Sequence, residues 1–327
     1  MLKIALIGFG YWGPNIARNI FSNDNMKLEA ICDGRIERLD KARELYGKSV
    51  KYVKAYDDVL NDNNIEAVAI AVQTSMHYDF CKKALHAGKD VYIEKPFTDN
   101  VDDAIELKNL AISKGKIIHV DHIMCYHPVI KKIKELVDNG ELGDILYFDC
   151  SRINLGQVRN DVNAMWDLSI HDLSIIDYLS NGAEPQVIKA IGEKAYSKYE
   201  SVTFLNLKYE NFLATITASW ISPIKERRII IAGTKKMLVY DDVDVLNKLI
   251  VYDKGFDKID EIEYSDYVIK TRSGDGYIPK LEQSDALYNS LEHFRNCVEK
   301  RKESLTGPDS AIRLIKILEK ADKEMEE

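Results

Sequence analysis

No stretch of this sequence approaches the roughly 20 consecutive apolar residues that a helix needs to cross a bilayer, so no membrane span is expected. Proline is scarce, 7 in 327 residues, and the 17 glycines follow no fixed period, which excludes collagen-like and low-complexity chains. Positive charge in excess is also missing. Lys plus Arg number 45 against 53 Asp plus Glu, a net charge of -8, so neither nucleic acid nor an anionic membrane surface is an expected partner. The cysteines, Cys32, Cys81, Cys125, Cys150 and Cys297, lie far apart, with no two at metal-ligand spacing and an odd total. That excludes a disulfide framework and a cysteine metal site, and it points to reduced thiols in a cytoplasm. The opening MLKIALIG has one Lys before a short apolar run and no cleavage-like site, so a secretory leader is not expected.

What is present is the composition of a folded protein, 46% hydrophobic and 30% charged, in a chain long enough for two domains. Up to residue 121 short apolar runs (3–8, 27–32, 50–53, 66–72, 90–95, 116–121) alternate with amphipathic stretches (13–23, 35–46, 56–62, 76–87, 101–114). Strand and helix in alternation, with strands apolar throughout, predict a parallel sheet covered on both faces. Gly88 and Gly115 follow two of the helical patterns, where a left-handed cap is expected.

After residue 122 the pattern changes. Helices are expected over 128–139 and 166–180, with a strand at 145–153 between them. Then come strand-like runs without intervening helices: 186–195, 201–209, 212–220, 227–232, 236–241, 245–252 and 259–264. Turns such as YENF and AGTKK predict hairpins and a largely antiparallel sheet. The polar, glycine-bearing stretch 270–286 is expected to be a mobile loop, and helices over 284–300 and 308–325 close the chain. The domains are therefore expected at 1–121, doubly wound α/β, and 122–327, α+β, with the last helices able to pack back on the first domain.

Gly8, Gly10 and Gly13 stand between the first strand and the first helix, with Pro14 directly behind. In that setting glycines permit a tight turn, close approach to a pyrophosphate and close packing of helix on strand. Proline belongs in a first turn, where the N–H groups have no internal acceptor. The N–H groups of Tyr11 and Trp12 would then face phosphate at the positive end of the helix dipole. The side chains of Tyr11 and Trp12 could equally serve packing or cofactor contact. Asp33, 20 residues after Gly13, ends the second strand, where a carboxylate takes the hydroxyls of an adenosine ribose. It favours NAD by repelling the 2'-phosphate of NADP, while Arg35 and Arg38 leave NADP possible.

Glu94, Lys95 and Pro96 end the fifth strand, at the edge where open α/β sheets bind ligands. Asp167 and His171 are four apart, on one face of a helix. Ahead of that helix, Arg152, Asn154, Gln157, Arg159 and Asn163 form a polar segment suited to a polyhydroxylated substrate, with arginines for a phosphate or carboxylate.

Taken in order, GFGYWG, Asp33, TSMHYDFCKKALHAGKDVYIEKP and YHPVIKKIKELVDNGELGDILYF resemble the Gfo/Idh/MocA family over nearly the whole chain. The resemblance implies an N-terminal Rossmann domain and a C-terminal α+β domain whose open sheet forms a homodimer or homotetramer. It adds Thr74, His77 and Glu94 to the cofactor contacts. It places Lys95 near nicotinamide and the substrate hydroxyl, where an ammonium would stabilise developing alkoxide. It matches Asp167 and His171 to an Asp-x-x-x-His pattern, with His171 as general base, a role imidazole suits because its ordinary pKa lies near neutral. Asp167 would orient the lysine or a substrate hydroxyl, or only cap its helix. The substrate class implied is a sugar, in particular a nucleotide-linked one, as in C3 oxidation of UDP-linked N-acetylglucosaminuronic acid. Inositol or a free monosaccharide, the reverse reduction, and a dinucleotide-binding sensor without catalysis are the alternatives. Ahead of Pro128, Tyr126 and His127 stand where the family frequently has an arginine or asparagine, so substrate contacts from that helix do not carry over.

Overall fold

A computed structural model describes residues 1–259 and 268–326. The chain divides into two compact units, Met1–His127 with Ser284–Lys316, and Pro128–Gln283 with Ile317–Glu327.

The first unit is built on the strands β1 (Leu2–Ile7), β2 (Met26–Cys32), β3 (Lys51–Val53), β4 (Ala67–Ile70), β5 (Asp90–Ile93) and β6 (Ile118–Val120). Its helices are α1 (Gly13–Phe21), α2 (Ile36–Tyr46), α3 (Tyr56–Leu60), α4 (His77–His86) and α5 (Val101–Lys114), to which α8 (Ala286–Lys300) is added from late in the chain. The strands are all parallel in the order β3-β2-β1-β4-β5-β6, a doubly wound sheet whose order reverses between β1 and β4. Leu2, Ile4 and Leu6 of β1 share one apolar cluster with Ile16 and Ile20 of α1, Leu39 of α2 and Leu291 and Phe294 of α8. Ala5 and Ile7, which alternate with them and so face the other side, are as fully buried. Burial of both faces is why these strands read as unbroken apolar runs. Gly88 and Gly115 take φ of +72° and +60° behind α4 and α5, as expected of helix caps.

The second unit holds α6 (Pro128–Asp138), α7 (Ile170–Leu179), and a sheet of eight described strands. These are β7 (Ile145–Leu155), β8 (Val187–Glu193), β9 (Val202–Lys208), β10 (Leu213–Ser219), β11 (Ile221–Gly233), β12 (Met237–Asp241), β13 (Leu249–Ile259) and β14 (Val268–Tyr277). Their order is β14-β13-β12-β11-β7-β10-β9-β8, antiparallel except for β7 beside β10. The final helix, α9, spans Pro308–Glu326.

Three elements differ from expectation. The strand expected over 245–252 starts only at Leu249, because Asp244 Oδ1 accepts the Leu246 and Asn247 N–H groups at 2.8 Å each and folds that segment into a turn. Most of the run 259–264 lies outside the described residues. The loop expected over 270–286 is strand as far as Tyr277: β14 pairs with β13, whose side chains lean over its glycines. A Cβ at Gly274 would meet Asp253 Oδ2 at 2.6 Å, so glycine there makes room for a neighbour and does not mark a break. Third, the helix expected over 166–180 opens with a π turn, Met165–Ser169, before α7 begins.

Candidate active site

The strand order reverses where β1 and β4 end, and the glycine turn follows directly. Gly8 has φ of +94°, and a Cβ there would lie 2.4 Å from the Ala71 carbonyl oxygen. A Cβ on Gly13 would lie 2.3 Å from Gly8 O, so helix and strand meet at van der Waals distance only through hydrogen. Gly10 is different. Its nearest neighbour is the Arg38 guanidinium, 3.4 Å from the Cβ position, and no backbone crowds it. Pro14 stands in the first turn of α1, as expected. Tyr11 is 96% exposed, which removes packing as the reason for its ring.

Asp33 is buried beneath this turn. Its Oδ2 accepts from Phe9 N (2.7 Å) and from Arg38 Nη1 (3.2 Å), and its Oδ1 accepts from Arg35 N (2.9 Å). The carboxylate thus ties the end of β2 to the glycine turn and to the start of α2. Of the two arginines, Arg38 reaches both Asp33 and the space before Gly10, while Arg35 contributes its backbone.

Glu94 continues β5 and donates its N–H to Ile70 O (3.0 Å); Asp121 continues β6 and donates its N–H to Ile93 O (2.8 Å). Adjacent parallel strands therefore deliver two carboxyls to the same edge, with Lys95 next in line. Burial pushes Glu94 well above the usual carboxylate range, and the neighbouring Asp121 adds to the rise while Lys95 opposes it. Burial likewise raises Asp121 to about 6, against hydrogen bonds from Tyr92 and Ser290 and the nearby Lys95 charge. His122 is held down to about 3 by burial and by Lys95. His77 is also buried. Its Nδ1, 2.8 Å from Pro96 O, donates there, and Nε2 lies 3.3 Å from Val72 O, so it fastens the Lys95–Pro96 turn to the end of β4. Burial lowers its pKa and keeps it neutral. Its ring therefore acts on the backbone at this edge, holding Pro96 and Val72 together. Thr74 begins the 3-10 turn ahead of α4, on the same edge of the sheet.

In the second unit the polar segment before α7 is largely occupied with itself. Arg152, an expected substrate contact, forms a buried two-point pair with Asp172, Nε to Oδ2 at 3.0 Å and Nη2 to Oδ1 at 2.7 Å. Asn163, another expected contact, is a buried cap: its Oδ1 accepts Trp166 N (3.0 Å) and its Nδ2 donates to Asp322 (2.9 Å) and Glu200 (3.2 Å). Both residues are thus tied into the protein's own framework, Arg152 through two of its guanidinium N–H directions and Asn163 through its whole amide. Arg159 donates to Asp161 (2.9 and 2.6 Å) and to Asp167 Oδ1 (3.1 Å), and Trp220 Nε1 donates to Asp167 Oδ2 (3.2 Å). Asn163, not Asp167, is the cap. The π turn that carries Asp167 is fixed by Trp166, whose Nε1 donates to Asp322 (2.6 Å). Such turns recur at functional sites. His171 follows in the first turn of α7, partly exposed, and Asn154 is half-buried in β7.

Family models match both parts of the sequence. The model described as an oxidoreductase family with an NAD-binding Rossmann fold matches residues 2–122, and that of the family's C-terminal domain matches 130–239. The chain belongs to the Gfo/Idh/MocA family. An uncharacterized oxidoreductase of Bacillus subtilis, YrbE, is 30% identical over 193 residues, 57% of this chain and 56% of its own. UDP-N-acetylglucosamine 3-dehydrogenase of Acidithiobacillus ferrooxidans is 27% identical over 91% of this chain and 88% of its own. Its crystal structure has the same fold, with a TM-score of 0.81, 23% identity and coverage of 99% and 98%. The scyllo-inositol 2-dehydrogenase (NAD(+)) of B. subtilis is 26% identical over 96% of this chain and 91% of its own.

The residues present fit the family's dinucleotide. Gly10 leaves the turn open to a phosphate, and Glu94 Oε1 and both ring nitrogens of His122 are buried without a hydrogen-bond partner among the described residues. Asp121 and His122 were not singled out from the sequence, although they follow β6 directly as Glu94 follows β5. The rule that ligands bind outside the carboxyl ends of strands would have found them.

Proposed function

We propose that this protein oxidises a ring hydroxyl of a sugar, reversibly, with NAD as the preferred cofactor and a nucleotide-linked hexose as substrate. Full-length similarity to a UDP-N-acetylglucosamine 3-dehydrogenase supports the substrate class and C3 as the carbon, a UDP-linked N-acetyl-hexuronate being one candidate. Similarity to an inositol dehydrogenase over 96% of the chain supports a cyclitol as the second reading. The observation that carries the catalytic reading is the crowding beside Lys95 of two carboxyls, that of the buried Asp121 and that of Glu94, half-buried with its Oε1 enclosed. When bound, the nicotinamide accepts or returns the hydride. Lys95 stabilises negative charge on the reacting oxygen. His171 takes the hydroxyl proton, with Asp167, Arg159 and Asn154 orienting the sugar. Asp33 accepts the adenosine ribose hydroxyls, and its charge disfavours a 2'-phosphate.

The sheet of the second unit supports a homodimer or homotetramer. Ile191 and Phe204, paired across β8 and β9, are 71% and 48% exposed, while the alternating Ala190 and Leu205 are buried. Five buried free cysteines support a reducing, cytoplasmic setting.

Steady-state oxidation of UDP- and dTDP-sugars, inositols and free hexoses tests the reading. With the authentic substrate, His171→Ala lowers kcat by on the order of 10² to 10⁴ and removes the rising limb of the pH profile. Lys95→Ala lowers it by roughly 10² to 10³ or more. Both variants still bind NADH. A wild-type rate and pH profile in His171→Ala would make that histidine structural and pass the proton to another group, Asp167 first.

A further inference from the structure

Behind the Glu94–Lys95 edge, within the first unit, runs a row of hydrogen bonds whose direction can be assigned. Ser290 Oγ donates to Asp121 Oδ1 at 2.8 Å. A serine has one proton, so His119 Nε2, 2.9 Å from the same oxygen, must be the donor there. Nδ1 of a neutral ring is then an acceptor, and Ser304 Oγ donates to it at 2.9 Å. Burial drives the His119 pKa well down, which keeps the ring neutral. All three donors point the same way, from Ser304 to Asp121. The ring is held in place by stacking on Tyr92 and Tyr126, with centroids 4.8 and 5.4 Å away. His119, Ser290 and Asp121 are fully buried, whereas Ser304 is half-exposed and lines a cavity of about 510 Å³ with Ile117, Ile118 and Leu305. The titratable groups facing this row are Tyr92, Glu94 and Lys95 from β5 and its end, His122 beside Asp121, Tyr126 stacked on His119, and His293 of α8.

We propose that Ser304, His119, Ser290 and Asp121 form a proton relay, through which the carboxyl pair beside Lys95 exchanges its proton with the solvent of that cavity. Apolar packing alone does not call for two serines and a histidine aligned donor to acceptor on a buried acid, and each inner member carries the one proton and one lone pair a relay needs. The balance closes. An acid in the cavity protonates Ser304 Oγ, whose own proton passes to His119 Nδ1; Nε2 gives its proton to Ser290 Oγ, and the Ser290 proton passes to Asp121 Oδ1. One proton enters, one arrives, each broken O–H or N–H bond is replaced, and no electrons move. Release runs the same steps backward. The role in turnover rests on the reading of Lys95 given above, since oxidation of an alcohol frees a proton and neighbouring charges must readjust.

The test needs no substrate. After a pH jump across 6, the infrared carboxyl band that Asp121→Asn deletes is followed in time in wild type, Ser290→Ala and Ser304→Ala. Both alanine variants should relax at least about tenfold more slowly than wild type. Ser304→Ala is decisive, because it lies at the far end of the row and touches neither carboxyl. A wild-type rate in Ser304→Ala, whatever Ser290→Ala does, overturns the proposal by showing another exit. In turnover Ser304→Ala should lower kcat with KM and NADH affinity unchanged, and added imidazole should restore it; a loss that imidazole does not restore means packing and overturns the relay. Failure of Lys95→Ala to lose activity would sink the functional reading and leave the infrared result standing.

Discussion

Two sites, one in each unit, treat buried charge in opposite ways. In the second, Arg152 faces Asp172 through two short bonds, and Arg159 is shared between Asp161 and Asp167. In the first, Glu94 and Asp121 crowd around Lys95, and His122 is kept neutral by burial and by the same charge. Paired charges satisfy one another and hold an architecture. Carboxyls pushed together out of water keep an unmet demand for protons or cations, and that demand is what chemistry on a hydroxyl can use.

The largest effect is expected where pairing is most complete. Arg152→Ala leaves Asp172, 1% exposed, without its guanidinium and should cost about 3–5 kcal/mol in chemical unfolding. Replacing both partners, Arg152→Met with Asp172→Leu, should recover most of that loss. His122 offers the opposite case. Its ring nitrogens have no partner among the described residues, so His122→Leu should leave stability unchanged or raise it. If the histidine change were the more destabilising of the two, the contrast between the units would fail.

A smaller effect separates glycines that look alike in sequence. Gly13→Ala drives a Cβ into the Gly8 carbonyl, so it should cost about 1–3 kcal/mol and loosen the turn. Gly10→Val meets only the end of Arg38, so the fold should keep its thermal midpoint while NADH, titrated by fluorescence, binds far more weakly. Equal NADH affinity in Gly10→Val and wild type would remove the glycine turn from the cofactor site.

The first unit was the more legible from sequence because its functional groups are set by local rules. Glycines after a strand, proline in a first turn and an acid at the end of β2 are each fixed by backbone geometry within a few residues. Long-range pairing decided the second unit. Nothing near Arg152 in the chain announces Asp172 as its partner 20 residues on, and Asn163 is tied to Asp322, 159 residues away. The glycines of β14 read as a loop because their reason lies across the strand, in Asp253 and Tyr252. Ser290 carried no signal at all. It becomes informative only when α8 places its hydroxyl against Asp121.

The smallest expected effect is a pH dependence of stability from the first unit's unmet charge. Asp121, raised to about 6 from the usual carboxylate value near 3.8, holds its proton more tightly in the folded chain than in the unfolded one. Its contribution therefore favours the fold at low pH and is lost as pH rises from about 4 through about 6. Asp121→Asn keeps an oxygen to accept from Ser290 but cannot ionise. Against wild type the variant should gain about 1–2 kcal/mol between pH 4 and pH 7, with little further change above that. Proton sharing with Glu94 sets the upper bound, because the glutamate can take part of the proton that Asp121 gives up. Parallel pH profiles for Asp121→Asn and wild type would mean that Asp121 ionises as readily in the folded chain as in the unfolded one, and the unmet charge beside Lys95 would be gone.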